Sequence, residues 1–385
     1  MEALSEIAAV NPRPVSAISN ATAVSFVGMA QLDAETATAT PLETRVFSEV
    51  AKGYTIFRDR DILAAKITPC WENGKVGQAR LDHEVGVGST EFHVIRPNEE
   101  QLDPRYLLHF LRQARVREQG TLRMTGSGGQ RRVPASFVKD LQIPLPSLHE
   151  QRRIAAILDQ ADALRAKRRA QLADLDALPQ AIFHAMFGAQ VTSMQPLSSL
   201  VPGGDQINYG VVQPGDLFPG GIPLIRVSDL VDGRVSREGL KTISPVIEAR
   251  YGRSRLKGNE VLIACVGSLG SVAETSPADI GSNIARAICR IPIDSSPLRR
   301  YVASFLRSSA AQQYIQREAR TVAQPTLNVK QLSALPTPVP DRQDLETFER
   351  AADRAALLRN AVAQQSTVMD ALFASLQSRV FRGEL

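Results

Sequence analysis

Cysteine is scarce in this chain: Cys70, Cys265 and Cys289 are the three in 385 residues, and none forms a CxxC pair. That excludes a disulfide scaffold and a thiolate zinc site, and it makes a reduced, cytosolic compartment the plain expectation. The five histidines, His83, His93, His109, His149 and His184, have no metal-ligand spacing, and none adjoins a Ser or Cys in a nucleophile motif. No metal site and no catalytic residue is therefore expected. Long apolar runs are missing too. The stretch at residues 261–266 is far too short to span a bilayer, and the opening MEALSEIAAVNPRP lacks a basic start followed by an apolar run, so a soluble protein with no membrane association is expected. There is no GxxxxGK[ST] phosphate loop and no paired-carboxylate-plus-lysine nuclease cluster. Acid is slightly outnumbered, with 45 Lys plus Arg against 40 Asp plus Glu, a net charge of +5. That excess permits an anionic partner without requiring one.

What is present is a sequence written twice. RYLLHFLR at residues 105–112 matches RYVASFLR 195 residues later, and LQIPLP at 141–146 matches LPTPVP 194 residues later. SFVGMAQL at 25–32 parallels PLIRVSDL at 223–230, and RDILAAK at 60–66 parallels NEVLIAC at 259–265, with offsets of 198 and 199. Collinear matches with drifting offsets indicate two copies of one domain that differ by loop insertions and deletions. Each copy opens with short Val/Ile/Leu-rich runs punctuated by Gly, Pro and Asn, which read as strands. A compact helix follows, with Asp103 as N-cap, Pro104 at its first position and Gly120 as its stop; Ser296 and Pro297 repeat that start. Short mixed strands without βαβ alternation predict an α+β domain.

Each copy ends in a long helix of coiled-coil character. Ile154, Ile157, Ala161, Leu164, Leu172, Leu175, Ile182 and Met186 fall mostly three or four apart. Leu345, Phe348, Ala352, Ala355, Leu358, Val362, Met369, Leu372, Leu376 and Val380 repeat the spacing. The simplest burial for both stripes is an antiparallel pairing of the two helices. Pro179 is expected to kink or end the first of them.

The order of these parts, with LPSLHEQRRIAAILDQAD at 145–162, LPQAIFHAMFG at 178–188 and the FRGEL terminus, resembles the specificity (S) subunits of type I restriction-modification systems. KITPCWENGK at 66–75 and GSGGQRRVPASFVKDLQIPLP at 126–146 resemble their target-recognition domains. The resemblance implies target-recognition domain 1 at residues 1–147, a central spacer helix at 148–188, target-recognition domain 2 at 189–340 and a C-terminal spacer helix at 341–385. It implies double-stranded DNA as ligand, read one half-site per domain, with two modification subunits and the restriction subunits as partners. S-adenosylmethionine, ATP and Mg2+ are then expected on those partners and no cofactor on this chain. The absence of an Asn/Asp-Pro-Pro-Tyr/Phe adenine-methylation motif fits that division. Two rivals remain at this point: a duplicated coiled-coil scaffold that never reads bases, and a chain with methylation activity of its own.

Candidate DNA contacts follow from side-chain chemistry. Arg112, Arg115, Arg117, Arg123, Arg131 and Arg132 lie within about twenty residues, and arginine forks suit phosphate oxygens and the guanine major-groove edge. In the first copy the candidates are Lys66, Trp71, Asn73, Lys75, Arg123, Ser127, Gln130, Arg131 and Arg132. Asn73 can present a donor and an acceptor to adenine, although Asn-Gly is equally a hairpin-turn signal, and Trp71 could equally be core. In the second copy they are Arg226, Ser228, Arg286, Arg320, Gln324, Thr326 and Asn328, polar residues in the counterparts of first-copy loops. Arg165, Lys167, Arg168 and Arg169 read as a solvated helix face rather than as DNA ligands.

Overall fold

The computed structural model describes the chain except residues 14–17, 128, 189–192, 322–324 and 385. It is α+β, and it divides into two compact units: Met1–Ala170 with Ala363–Leu385, and Gln171–Val362. The division cuts both long helices, so each unit includes part of each of them rather than leaving them as separate segments.

The first unit is built on a six-stranded sheet in the order Ala8–Val10, Phe92–Pro97, Ile62–Ala65, Val76–Ala79, Thr38–Ala39, Leu32–Asp33. A four-stranded sheet holds Ala23–Val27 between Glu43–Val46, antiparallel, and Val85–Gly88, parallel, with Thr55–Arg58 beyond. The central strands are buried on both faces, which is why Ile62–Ala65 reads as a continuous apolar run. The second unit repeats the plan. Its six-stranded sheet runs Asn208–Tyr209, Ile288–Pro292, Glu260–Ala264, Val272–Glu274, Arg234–Val235, Leu230–Val231, and Ile222–Ile225 lies between Lys241–Ile243, antiparallel, and Asn283–Ile284, parallel. The two six-stranded sheets share one strand order, which makes the duplication a property of the fold, while the smaller sheet has four strands in the first unit and three in the second.

The helix after the first sheet begins as its sequence demands. The Asp103 carboxylate accepts from the amides of Arg105 and Tyr106 at 2.9 and 3.1 Å, with Pro104 at the first turn. It ends earlier than Gly120. Pro104–Leu111 gives way to a second helix, Ala114–Leu122, which contains Gly120. Within that helix a glycine is needed at 120, because a Cβ there would come within 2.2 Å of the Trp71 ring. In the second unit the cap position is Ser295 rather than Ser296, which is the first helical residue and hydrogen-bonds Glu349 at 2.5 Å instead.

The long helices span Leu148–Phe187 and Arg342–Val380. Pro179 does not end the first; it sits inside, since a proline removes one backbone donor among the many bonds of a forty-residue helix. In the first unit the helices run antiparallel: Asp159 and Gln377 both reach His109, and six residues further along the first helix Arg165 meets Asp370. In the second unit Asp176 meets Arg359, while Phe183 and Phe187 pack on Phe348. Along the first helix the buried apolar residues lie toward the ends, and along the second Val362 is buried near the middle as well. Ile154, Leu158, Phe183 and Phe187 are buried in the cores of their own units, whereas Ile157, Leu164, Leu358 and Leu372 are exposed.

Candidate nucleic-acid interface

In the first unit, two segments distant in sequence are sewn into one surface by backbone hydrogen bonds. Thr125 and Arg132 exchange amide bonds at 3.0 and 2.8 Å, closing the loop between them, and the Thr68 amide donates to the Arg131 carbonyl at 2.9 Å. Val133 donates to Lys66 at 2.8 Å. These bonds bring Lys66, Asn73 and Lys75 to the same region as Arg123, Ser127, Gln130, Arg131 and Arg132. Asn73, Arg123, Ser127, Gln130 and Arg131 are exposed. The Arg131 guanidinium has no hydrogen-bond or ion-pair partner among the described residues, which leaves its five donors open to an anion.

Three first-unit expectations change. Trp71 is not a DNA contact: it is 4% exposed, its Nε1 donates to the Arg117 carbonyl at 2.9 Å, and its ring packs edge-on against Phe137. Arg132 is held at home by a forked pair with Glu91 at 2.7–3.2 Å, and the same contact keeps the Glu91 carboxyl below its ordinary range. Lys75 spends a proton on the Met29 carbonyl at 2.9 Å. Within the arginine cluster, Arg112 ties to Asp162 at 2.6 Å and to the Ala34 carbonyl at 3.0 Å, so it fastens the unit to the first long helix. Arg165, on the first long helix, pairs with Asp162 of that helix and Asp370 of the second and lies 4.3 Å over the Phe373 ring, so it is not a free solvated cation.

In the second unit a backbone relay links the candidates. Ala285 donates to Ile225, Cys265 to Ala287 and Leu327 to Cys265, which brings Arg226, Arg286 and the ribbon Arg320–Thr321 with Pro325–Thr326 into one neighbourhood. Arg286 is exposed. Arg226 is committed to Asp229 at 2.9–3.1 Å, and the Ser228 hydroxyl lies 3.2 Å from that same carboxylate. Asn328 is an N-cap: its side-chain oxygen accepts from the Gln331 amide while the Gln331 side chain accepts from its own, so that oxygen is spent on the helix Val329–Ser333. Gln324 lies outside the described residues, as does the side chain of Arg320.

Sequence reasoning missed the residues beneath these loops. His93, given no role from the sequence, is buried and donates from Nε2 to the Val133 carbonyl at 2.9 Å, with Asn11 at 3.2 Å from Nδ1. Burial holds its imidazole below the usual histidine value. The one available signal was a histidine among the apolar residues that open the strand FHVIRP. Further back, burial pushes the Asp159 carboxyl up, and hydrogen bonds from His109 and Arg105 more than reverse this, leaving it at about 2. Among the described residues no group of three His, Cys, Asp or Glu could hold a metal ion, and no helix is long and apolar enough to cross a membrane.

Residues 3–174 match the family described as type I restriction modification DNA specificity domain. The type I restriction enzyme EcoEI specificity subunit of Escherichia coli is 43% identical over 152 residues, 39% of this chain and 25% of that relative. The EcoAI specificity subunit of the same organism is 36% identical over 46% of this chain and 31% of its own length, so the chain spans under a third of either relative. The EcoBI specificity subunit of Escherichia coli is 28% identical over 68% of this chain and 62% of that relative. Among solved structures, a chain from a study of complex assembly and conformational transition in a type I R-M system aligns over 100% of this chain and 97% of its own length, with a TM-score of 0.64 at 20% identity. The type I restriction-modification S subunit of M. genitalium aligns over 99% and 95%, with a TM-score of 0.52 at 13% identity. The family match thus covers the first unit and the start of the first long helix, and the second unit repeats the six-stranded sheet of that matched unit.

Proposed function

We propose that this chain is the DNA specificity component of a type I restriction-modification complex, that each unit reads one half of a bipartite duplex site, and that the chain performs no catalysis. The observation that carries this reading is that two units of one topology present different loops at the same place: TGSGGQRR at residues 125–132 in the first and RTVAQPT at 320–326 in the second. A conserved scaffold with exchanged loop chemistry suits two reading heads with different targets, since sequence is read by side chains at base edges while phosphate contacts set position. Two modification subunits would dock through the two repeated helical surfaces, because a duplicated adaptor offers equivalent sites to identical partners. Restriction subunits would join that assembly. S-adenosylmethionine, ATP and Mg2+ belong, in this reading, to those partners.

The test is a domain exchange. Replacing residues 1–147 with the matching segment of a relative, followed by sequencing of methylated adenines in the host, should change one half of the modified site and leave the other intact. A change in both halves, or in neither, overturns the reading. Arg131→Ala should weaken duplex binding and lower the slope of log K against log salt by about 1, because one phosphate contact releases fewer counterions. A scaffold that never reads bases would show neither base preference nor that slope.

A further inference from the structure

The loop at residues 125–132 is backed at its C-terminal end by the buried side chain of His93. Val133, the residue that follows it, donates its amide to the Lys66 carbonyl at 2.8 Å and offers its own carbonyl to His93 Nε2 at 2.9 Å. His93 sits on the buried strand Phe92–Pro97, opposite Ala64. On its other side, Asn11 Nδ2 lies 3.2 Å from His93 Nδ1. The Asn11 amide cannot turn round to present its oxygen there, because that oxygen accepts from the Val94 amide at 2.9 Å and the Asn11 backbone donates back to Val94 at 2.7 Å. Asn11 is locked in this place with φ of 55°, a left-handed conformation that asparagine tolerates. The partners therefore fix the ring: Nδ1 accepts, Nε2 carries the proton, and a second proton on Nδ1 would face an NH2 group.

The second unit solves the same problem with different chemistry. Leu327 closes the ribbon at 320–326 and donates to Cys265, as Val133 does to Lys66, but its carbonyl accepts from the Tyr209 hydroxyl at 3.0 Å. At the register of His93 stands Cys289, opposite Ile263. We propose that neutral His93 is the positioning residue for the first unit's DNA-reading loop and Tyr209 the positioning residue for the second, so that mild acid loosens the first loop and spares the second. This rests on the reading that these loops meet DNA.

The charged groups facing His93 are Lys66 and Glu91, and Glu91 is itself committed to Arg132. Burial dominates and holds the imidazole below its ordinary value, so the folded loop favours the neutral ring. A depressed folded value means that the stabilisation is complete above the unfolded value of about 6.5 and is lost as pH falls below it towards the folded value. Burial holds the Tyr209 phenol up at about 12, so it keeps its proton throughout that window.

The experiment is amide hydrogen exchange on the full chain at about pH 7.5 and about pH 5.5, corrected for intrinsic rates, on either side of the ordinary imidazole value. Protection of the Thr125, Arg132 and Val133 amides should fall on the order of fivefold in acid, as expected when the opened loop takes up a proton about one pH unit below the ordinary imidazole value and the buried ring resists it, while that of Leu327 holds. His93→Gln, whose amide nitrogen can replace Nε2 without titrating, should keep the first loop protected at both values. Tyr209→Phe should loosen the Leu327 segment equally at both. Protection at 125–133 that ignores pH, an acid loss that persists in His93→Gln, or equal acid loosening of the Leu327 segment overturns the proposal. A second arm selects duplexes from a random-sequence pool at each pH, and base preference should fade in one half-site alone. If exchange behaves as stated and base preference does not move, the clamp stands and the assignment of this loop to DNA reading falls.

Discussion

The two units agree where they grip the long helices and differ where they face outward. The Tyr106 hydroxyl donates to the Pro144 carbonyl at 2.9 Å, and Tyr301 donates to Pro338 at 2.8 Å. Gln377 donates to the His109 carbonyl, and Gln180 to that of Ser304. Arg105 pairs with Asp159 as Arg300 pairs with Asp353, and Arg112 and Arg307 each reach a carbonyl, of Ala34 and Gly233. Divergence begins in the sheet interior. The buried Asp61 is held by Arg96, at 25% side-chain exposure, whereas the matching Glu260 faces Arg290, at 1%, which also takes both oxygens of Asp205. Where the first unit sets Trp71 against Gly120, the second carries Ile315 at the matching helix position and glycines in the turn at 267–270. Duplicated contacts with the helices preserve the frame, while the interior and the loops were free to change together, as close-packed interiors require.

The largest break in this comparison should come from Arg290→Ala. It takes the guanidinium from Glu260, which keeps the amides of Lys257, Gly258 and Asn259, and from Asp205, which keeps Lys257 and the Gln206 amide, and breaking a buried ion pair typically costs about 3–5 kcal/mol. Arg96→Ala should cost less, about 1–3 kcal/mol, because Arg96 is partly exposed and serves one carboxylate, whereas Arg290 is buried and serves two. Trp71, the single tryptophan, reports the first unit, so a urea titration followed by fluorescence and by far-ultraviolet circular dichroism separates the units. Arg290→Ala should lower the dichroism midpoint while leaving the fluorescence midpoint in place.

A smaller effect should be equal in both halves. Tyr106→Phe and Tyr301→Phe each remove one hydrogen bond to a proline carbonyl and should cost about 1 kcal/mol each, measured by the same titration. Unequal losses would mean that the helix contacts are less duplicated than their geometry. The smallest effect appears only in acid. Asp159 in the first unit and Asp205 in the second both have carboxyls held at about 2 by their cationic partners, against burial that pushes the other way. Folded values below the unfolded value of about 3.9 mean stability that is present above it and lost as pH falls from about 4 towards about 2. Asp159→Asn and Asp205→Asn should each flatten the melting temperature against pH over that interval, one per unit.

The amino-acid sequence by itself determined the duplication, the α+β class, the Asp103 cap and the two long helices, because collinear self-similarity, capping chemistry and apolar spacing are local or internal to the chain. Tertiary structure alone decided the rest. Periodicity says that a residue recurs on a face, not how deeply that face is covered, so Ile157 and Leu164 fit the seam and yet are exposed, while Leu158 is buried. Composition offers Arg131 and Arg132 as twins, yet only Arg132 finds an acid, Glu91, 41 residues away. Trp71 became core because a helix glycine 49 positions later makes room for its ring. His93 became a clamp because a strand and a loop forty residues apart meet at one carbonyl. Charge pairing and burial depend on which distant segments the fold brings within a few ångströms, and no local pattern of residues carries that distance.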